Sequence, residues 1–188
     1  MTREKFIEIL EDKGYLYEIE GDKLIVSCNT KGRHVYLTKI KSLPSNVVFD
    51  ATCGKVELDS LIKIPNGVEF HNRGGCDLFK VKEISQGIVF NNSDYVSMGS
   101  LKNLPENTDV IFKNGGSIEF GSLDTLPSNI EFNNWERINL GAVTSIPSDV
   151  KFNNRGEVSM DKLRRGGVGI KGVNRNLFRL MVKKGMFV

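Results

Sequence analysis

SLPSNVVF (residues 42–49), TLPSNIEFNN (residues 125–134) and SIPSDVKFNNRGEVSM (residues 145–160) are versions of one phrase, and its recurrence decides the fold. Working outward, the phenylalanine of the phrase returns as Phe49, Phe70, Phe90, Phe112, Phe132 and Phe152, at intervals of 21, 20, 22, 20 and 20 residues. Six tandem units of about twenty residues thus cover residues 43–163. A fixed period of this size marks a repeat architecture, in which no unit can bury its apolar face alone and the copies must stack.

Within the unit, a β-branched aliphatic stands two residues before each phenylalanine (Val47, Val68, Ile88, Val110, Ile130, Val150), which puts both side chains on one face of a short strand. A second alternating pair follows in Val56/Leu58, Cys76/Leu78, Val96/Met98, Ile118/Phe120, Ile138/Leu140 and Val158/Met160. Aliphatic-proline pairs close most units, at Leu43-Pro44, Ile64-Pro65, Leu104-Pro105, Leu126-Pro127 and Ile146-Pro147. Proline lacks the N–H a ladder needs and belongs at a corner. Asparagine follows the phenylalanine by two residues at Asn72, Asn92, Asn114, Asn134 and Asn154, and the first copy places Ala51 there. Stacked, these predict an asparagine ladder that hydrogen-bonds the turn backbone. Asn46, Gly67, Gly87, Asp109, Asn129 and Asp149 precede the first strand, as a turn with unusual backbone angles requires.

The expected protein is mainly β: a β-solenoid of about six to seven coils over residues 28–163, a helix-plus-hairpin cap over residues 1–27 and a basic helical cap over residues 164–188. Residues 2–13 read as a helix with Phe6, Ile7 and Leu10 on one side and Gly14 as its stop. Residues 15–20 and 23–27 then pair around Gly21-Asp22 and lead into a degenerate first coil with Val35, Leu37, Ile40 and Leu43. At the other end Asn174 begins a short helix whose Leu177, Phe178, Leu180 and Met181 cover the last coil, ending at Gly185.

A hydrophobic share of 39% suffices for an interior, and the chain has neither a signal-like start nor an apolar run of membrane-spanning length. The expectation is a cytoplasmic protein with no membrane partner. Cys28, Cys53 and Cys76 are an odd number without an export signal, which argues for reduced thiols. The net charge of +3 conceals an asymmetry: residues 162–188 hold eight bases and no acid, leaving 18 bases against 23 acids before them. The basic end reads first as a solvated cap, and second as a device that steers an acidic partner.

The pattern apolar-x-Phe-x-Asn followed by Val-x-Leu-x-x-Leu-x-x-Leu-Pro resembles the short leucine-rich repeats of bacterial effector proteins. It is more similar still to leucine-rich-repeat-like solenoids encoded by bacteriophages and other mobile elements, over about residues 23–165. Phenylalanine where leucine is usual, and two strand-like pairs per coil, favour a flatter, two-faced β-solenoid over a horseshoe. The resemblance implies a non-enzymatic accessory protein that binds and inhibits a bacterial host protein, such as a defence-system component in the manner of an anti-CRISPR.

The turn after the asparagine varies most and carries the only tryptophan, in Asn134-Trp135-Glu136-Arg137. Trp135 and Arg137, with Arg73, Tyr95 and Arg155 at the same edge, are the residue types that dominate interfaces and form the preferred protein-binding site. The plainer reading is a tryptophan that covers a coil corner. Between the first-strand pairs the outward positions are Val48, Glu69, Val89, Ile111, Glu131 and Lys151, so Val48, Val89 and Ile111 are expected as a modest apolar patch. Such residues serve equally to meet a foreign protein or to pair two copies of the chain. The second face shows Glu57, Asp77, Ser97, Glu119, Asn139 and Ser159.

Two alternatives belong to other classes. Arg164, Arg165, Arg175 and Arg179, interleaved by Phe178, suit binding of nucleic acid or a nucleoprotein complex, although no nucleic-acid motif accompanies them. Glu57, Asp77 and Glu119 are the candidates for a polysaccharide-acting β-solenoid enzyme. No catalytic constellation, cofactor motif or metal spacing stands out: His34 and His71 with the cysteines match no zinc signature, and Cys76 falls in a core slot.

Overall fold

The phenylalanines that mark the repeat stack ring on ring. From Phe49 through Phe70, Phe90, Phe112 and Phe132 to Phe152, successive centroids lie 5.1–5.3 Å apart. That spacing is close to the roughly 4.8 Å between paired strands, so one ring per coil is a direct consequence of parallel ladders in register. The planes are within 5–14° of parallel except at Phe112 and Phe132, which are tilted by 25°. There Phe120, in a slot held by leucine or methionine in the other coils, meets Phe112 edge-on at 5.6 Å.

The computed structural model describes residues 1–28, 33–106 and 109–162. The C-terminal helix expected over residues 174–185, and Arg164, Arg165, Arg175 and Arg179, lie outside the described residues. Helix α1 (Arg3–Asp12) is capped by Thr2, whose hydroxyl accepts from Lys5 N–H, and the chain leaves it through Gly14 at φ +68°. It buries Phe6 and Leu10 in the common core. Strands β1 (Leu16–Glu20) and β2 (Lys23–Ser27) form the expected antiparallel hairpin. β2 also pairs in parallel with β4 (Val47–Phe49), so Leu24 and Val26 fill the slots that Val47 and Phe49 fill one coil later. The hairpin's second strand is therefore already a strand of the solenoid.

Beyond it each coil has three sides. One sheet continues from β4 through Glu69–Phe70, Val89–Phe90, Ile111–Phe112, Glu131–Phe132 and Lys151–Phe152. The opposite sheet runs from β3 (Arg33–Tyr36) and β5 (Cys53–Glu57) through Cys76–Asp77, Val96–Ser97, Ile118–Glu119, Ile138–Asn139 and Val158–Ser159. Among the described residues the third side holds the pair Lys63–Ile64 with Glu83–Ile84 and a bridge between Thr125 and Ser145. Strands shorten to two residues because every coil must turn three times in twenty. The alternating aliphatics all point inward, giving a single buried core from Phe6 to Met160. The result is a mainly β chain with one described helix and a parallel β-solenoid of about six turns.

The ladder asparagines are buried and hold the first turn. Asn92 Nδ2 donates to Asp94 O (2.8 Å) and Tyr95 O (3.1 Å) in its own coil and to Gly74 O (3.2 Å) in the preceding one, and Asn72 and Asn114 repeat the pattern. The first copy differs from the sequence reading. Arg73 N–H donates to Cys53 O as Ser93 N–H donates to Asn72 O, so Cys53, not Ala51, takes the asparagine's place. Two residues more than in the later coils precede the ladder position and one fewer follows it, so this turn is longer by one residue and the ladder begins at Cys53. The turn before the first strand has positive φ at Asn46, Gly67, Gly87 and Asn129 but not at Asp149.

Candidate functional site

Because the carboxamide of each ladder asparagine binds the carbonyls of its own turn, the following side chain is left outside the coil. This column reads Arg73, Ser93, Gly115, Trp135 and Arg155. Trp135 is 62% exposed, and the guanidinium carbon of Arg155, one coil on, lies 4.8 Å from the ring centroid. That is cation–π distance. The neighbour in the preceding coil is Gly115, which brings no side chain to the ring. Arg137 is exposed beside this pair, immediately before the second strand, and Arg73 is exposed three coils away.

Tyr95 lies apart from Trp135. Its ring leans back over Gly75, whose Cβ, if it had one, would sit 2.3 Å from the nearest ring carbon, and Lys55 Nζ is 6.0 Å from the ring centroid. Lys55 reaches Asp77 at 2.6 Å and Glu57 at 2.7 Å, and hydrogen bonds to those two carboxylates push its pKa up against the opposing effect of burial. The proposed enzyme carboxylates are thus bridged in one pair by a lysine, while Glu119 accepts from Asn139 Nδ2 at 3.0 Å. Ser159, expected to face outward, is buried.

The apolar patch expected from Val48, Val89 and Ile111 does not form. Glu69 stands in register between Val48 and Val89, and Val48 is only 8% exposed. Lys23 on β2 reaches across β4 to Glu69 at 2.7 Å, so an ion pair lies beside Val48 and shields it. Val89 is half-buried. Ile111, 38% exposed, borders a shallow depression of about 390 Å³ with Lys113, Asn129, Glu131 and Asn133. This depression lies between the Ile111–Phe112 and Glu131–Phe132 strands, where only Phe112 and Phe132 remain paired.

Two exposed aromatics, Tyr36 and Phe79, fall outside the surfaces expected from the sequence. Phe79 is 59% exposed and lies over Gly99, where an added Cβ would be 2.5 Å from ring atom Cε2. Its signal was a phenylalanine in a column otherwise made of Asp59, Gly99, Gly121, Gly141 and Asp161. Elsewhere, His34 Nδ1 accepts from Lys55 N–H at 2.9 Å and His71 Nε2 meets Glu69 at 2.9 Å. Among the described residues no group of three or more His, Cys, Asp and Glu side chains is arranged to hold a metal ion.

These features define a class: a parallel β-solenoid with polar flat faces and one edge carrying an exposed tryptophan stacked on arginine. No family model, curated protein or solved structure matches the chain. No helix among the described residues is long and apolar enough to cross a membrane.

Proposed function

We propose that this chain is a non-enzymatic protein-binding module that docks through the edge formed by Trp135, Arg155 and Arg137. The observation that carries this reading is the Trp135–Arg155 contact, an exposed aromatic with a neighbouring cation over its ring. Tryptophan and arginine supply most of the energy at protein interfaces, and a prearranged pair loses less side-chain freedom on binding. A rigid stack of coils suits the role, since solenoids offer extended surfaces for partners. The repeat's likeness to phage and mobile-element solenoids supports a bacterial host protein as the partner, with inhibition of a defence component as the physiological outcome.

The test is affinity capture from bacterial lysate with the wild-type chain and Trp135→Ala, followed by titration of the purified partner. The expected result is a partner whose Kd rises at least about 30-fold in the variant, with an unchanged melting temperature. Equal recovery and equal Kd for every partner removes this edge from the reading.

A further inference from the structure

Cys28 and Cys53 are separated by 25 positions in sequence and by 3.2 Å between their sulfurs. Both belong to the column that asparagine occupies in later coils. Val26 is in register with Phe49, so Cys28 falls two residues after the phenylalanine slot, and Cys53 is placed there by the backbone ladder. The turn they share is held by other groups. Cys28 N–H donates to the Thr52 hydroxyl at 2.7 Å, while the hydroxyls of Ser27 and Thr52 both donate to the Asp50 carboxylate. Among the described residues the thiols make weak sulfur contacts, Cys28 with Arg33 O at 3.3 Å and Cys53 with Val26 O at 3.4 Å.

We propose that Cys28 and Cys53 are an oxidisable pair that a hydroperoxide converts into a disulfide, stapling the N-terminal hairpin to the first full coil. The two sulfurs already lie side by side in this turn and must approach by only about 1 Å to reach the roughly 2.05 Å of a disulfide. Cys28, at 6% exposure against 0% for Cys53, is the entry point. Its sulfur attacks one peroxide oxygen: an S–O bond forms, the O–O bond breaks, and the leaving oxygen takes up the thiol proton as alcohol or water. The Cys53 sulfur then displaces hydroxide from the Cys28 sulfenic acid: the S–S bond forms, the S–O bond breaks, and hydroxide leaves with the Cys53 proton as water. Two electrons pass from the thiols to the peroxide. Burial pushes the pKa of both thiols up, so a small uncharged oxidant is favoured and the reaction is slow. Cys76, whose sulfur faces Asn72 Oδ1 at 3.3 Å, is the internal control.

The full chain is treated with hydrogen peroxide, mapped by non-reducing peptide mass spectrometry, and melted with and without dithiothreitol. The expected product is 2 Da lighter, carries a Cys28–Cys53 cross-linked peptide, and melts about 5–10 °C higher until reduced. Cys76→Ser behaves in the same way and Cys28→Ser forms no link. The wild-type map and melt decide the matter even if Cys28→Ser fails to fold. A link involving Cys76, sulfinic acid at Cys28 with no link, no modification at all, or a link without a rise in melting temperature each overturns the proposal.

Discussion

The rings of Phe70 and Phe90 lie 5.1 Å apart with their planes 5° from parallel. Phe90 is fully buried and stacks on Phe112 as well, at 5.3 Å. Its removal therefore opens a cavity and breaks two ring contacts together. Phe90→Ala is expected to cost about 3–5 kcal/mol in urea unfolding. Phe90→Leu keeps most of the volume and loses the stacking, so its expected cost is about 2 kcal/mol. A neutral Phe90→Leu would show that the rings align only because the coils do.

The ladder asparagines make a sharper prediction. Asn114 Nδ2 donates to Asp94 O, Gly116 O and Ser117 O, whereas Oδ1 of Asn92, Asn114, Asn134 and Asn154 has no partner among the described residues. Asn72 differs, since the Cys76 thiol meets its Oδ1. Asn114→Ala leaves buried carbonyls unpaired, at about 1–3 kcal/mol. Asn114→Asp keeps the shape but turns a second oxygen toward those same carbonyls, so it is expected to destabilise more than alanine at neutral pH. Circular-dichroism melts of the two variants give the order directly.

Much of this architecture is legible in the residues because each governing rule is local. Phe, Asn and the aliphatics each occupy one slot per coil, so a period and an alternation suffice to place them. Val48 and Cys53 were misplaced for opposite reasons. Val48 is shielded by an ion pair between Lys23 and Glu69, 46 positions apart, which no pattern within one repeat reveals. Cys53 is hidden because this one turn is longer by a residue and shifts the ladder position two places along the chain. At the candidate site, the exposure of Trp135 follows from its column, and Arg155 follows as the next residue in that column. Tyr95 leaves the group because Gly75 gives its ring room to lean toward Lys55, a choice set by a missing side chain in another coil.

Two glycines separate backbone packing from side-chain packing. A Cβ on Gly156 would lie 2.2 Å from the carbonyl carbon of Glu136 and 2.5 Å from Arg137 N, which are backbone atoms that cannot move without disturbing the ladder. The three atoms nearest a Cβ on Gly99 all belong to the exposed Phe79 ring, whose side chain can rotate into solvent. Gly156→Ala is expected to cost about 2 kcal/mol or more, and Gly99→Ala less than about 1 kcal/mol. The Gly99→Ala variant should also expose Phe79 further, readable as increased binding of a hydrophobic dye.

Acid should loosen the N-terminal half before the later coils. Burial alone would raise Asp50, but hydrogen bonds from Ser27 and from the Thr52 hydroxyl and N–H, with Cys53 N–H, hold it below its ordinary value. Glu69 is likewise raised by burial and lowered more by Lys23 and His71. Both carboxylates thus have folded pKa values below the unfolded ones, near 4. Their contribution is fully present above about pH 4 and is lost as pH falls through the lower folded values, because the unfolded chain then binds protons more readily. Hydrogen exchange at about pH 6 and about pH 3, compared after correction for intrinsic rates, should show protection falling first in residues 23–28 and 47–57. Asp50→Asn should lower the melting temperature at about pH 6 and flatten its decline in acid. A decline as steep as that of the wild type would assign the acid sensitivity to other groups.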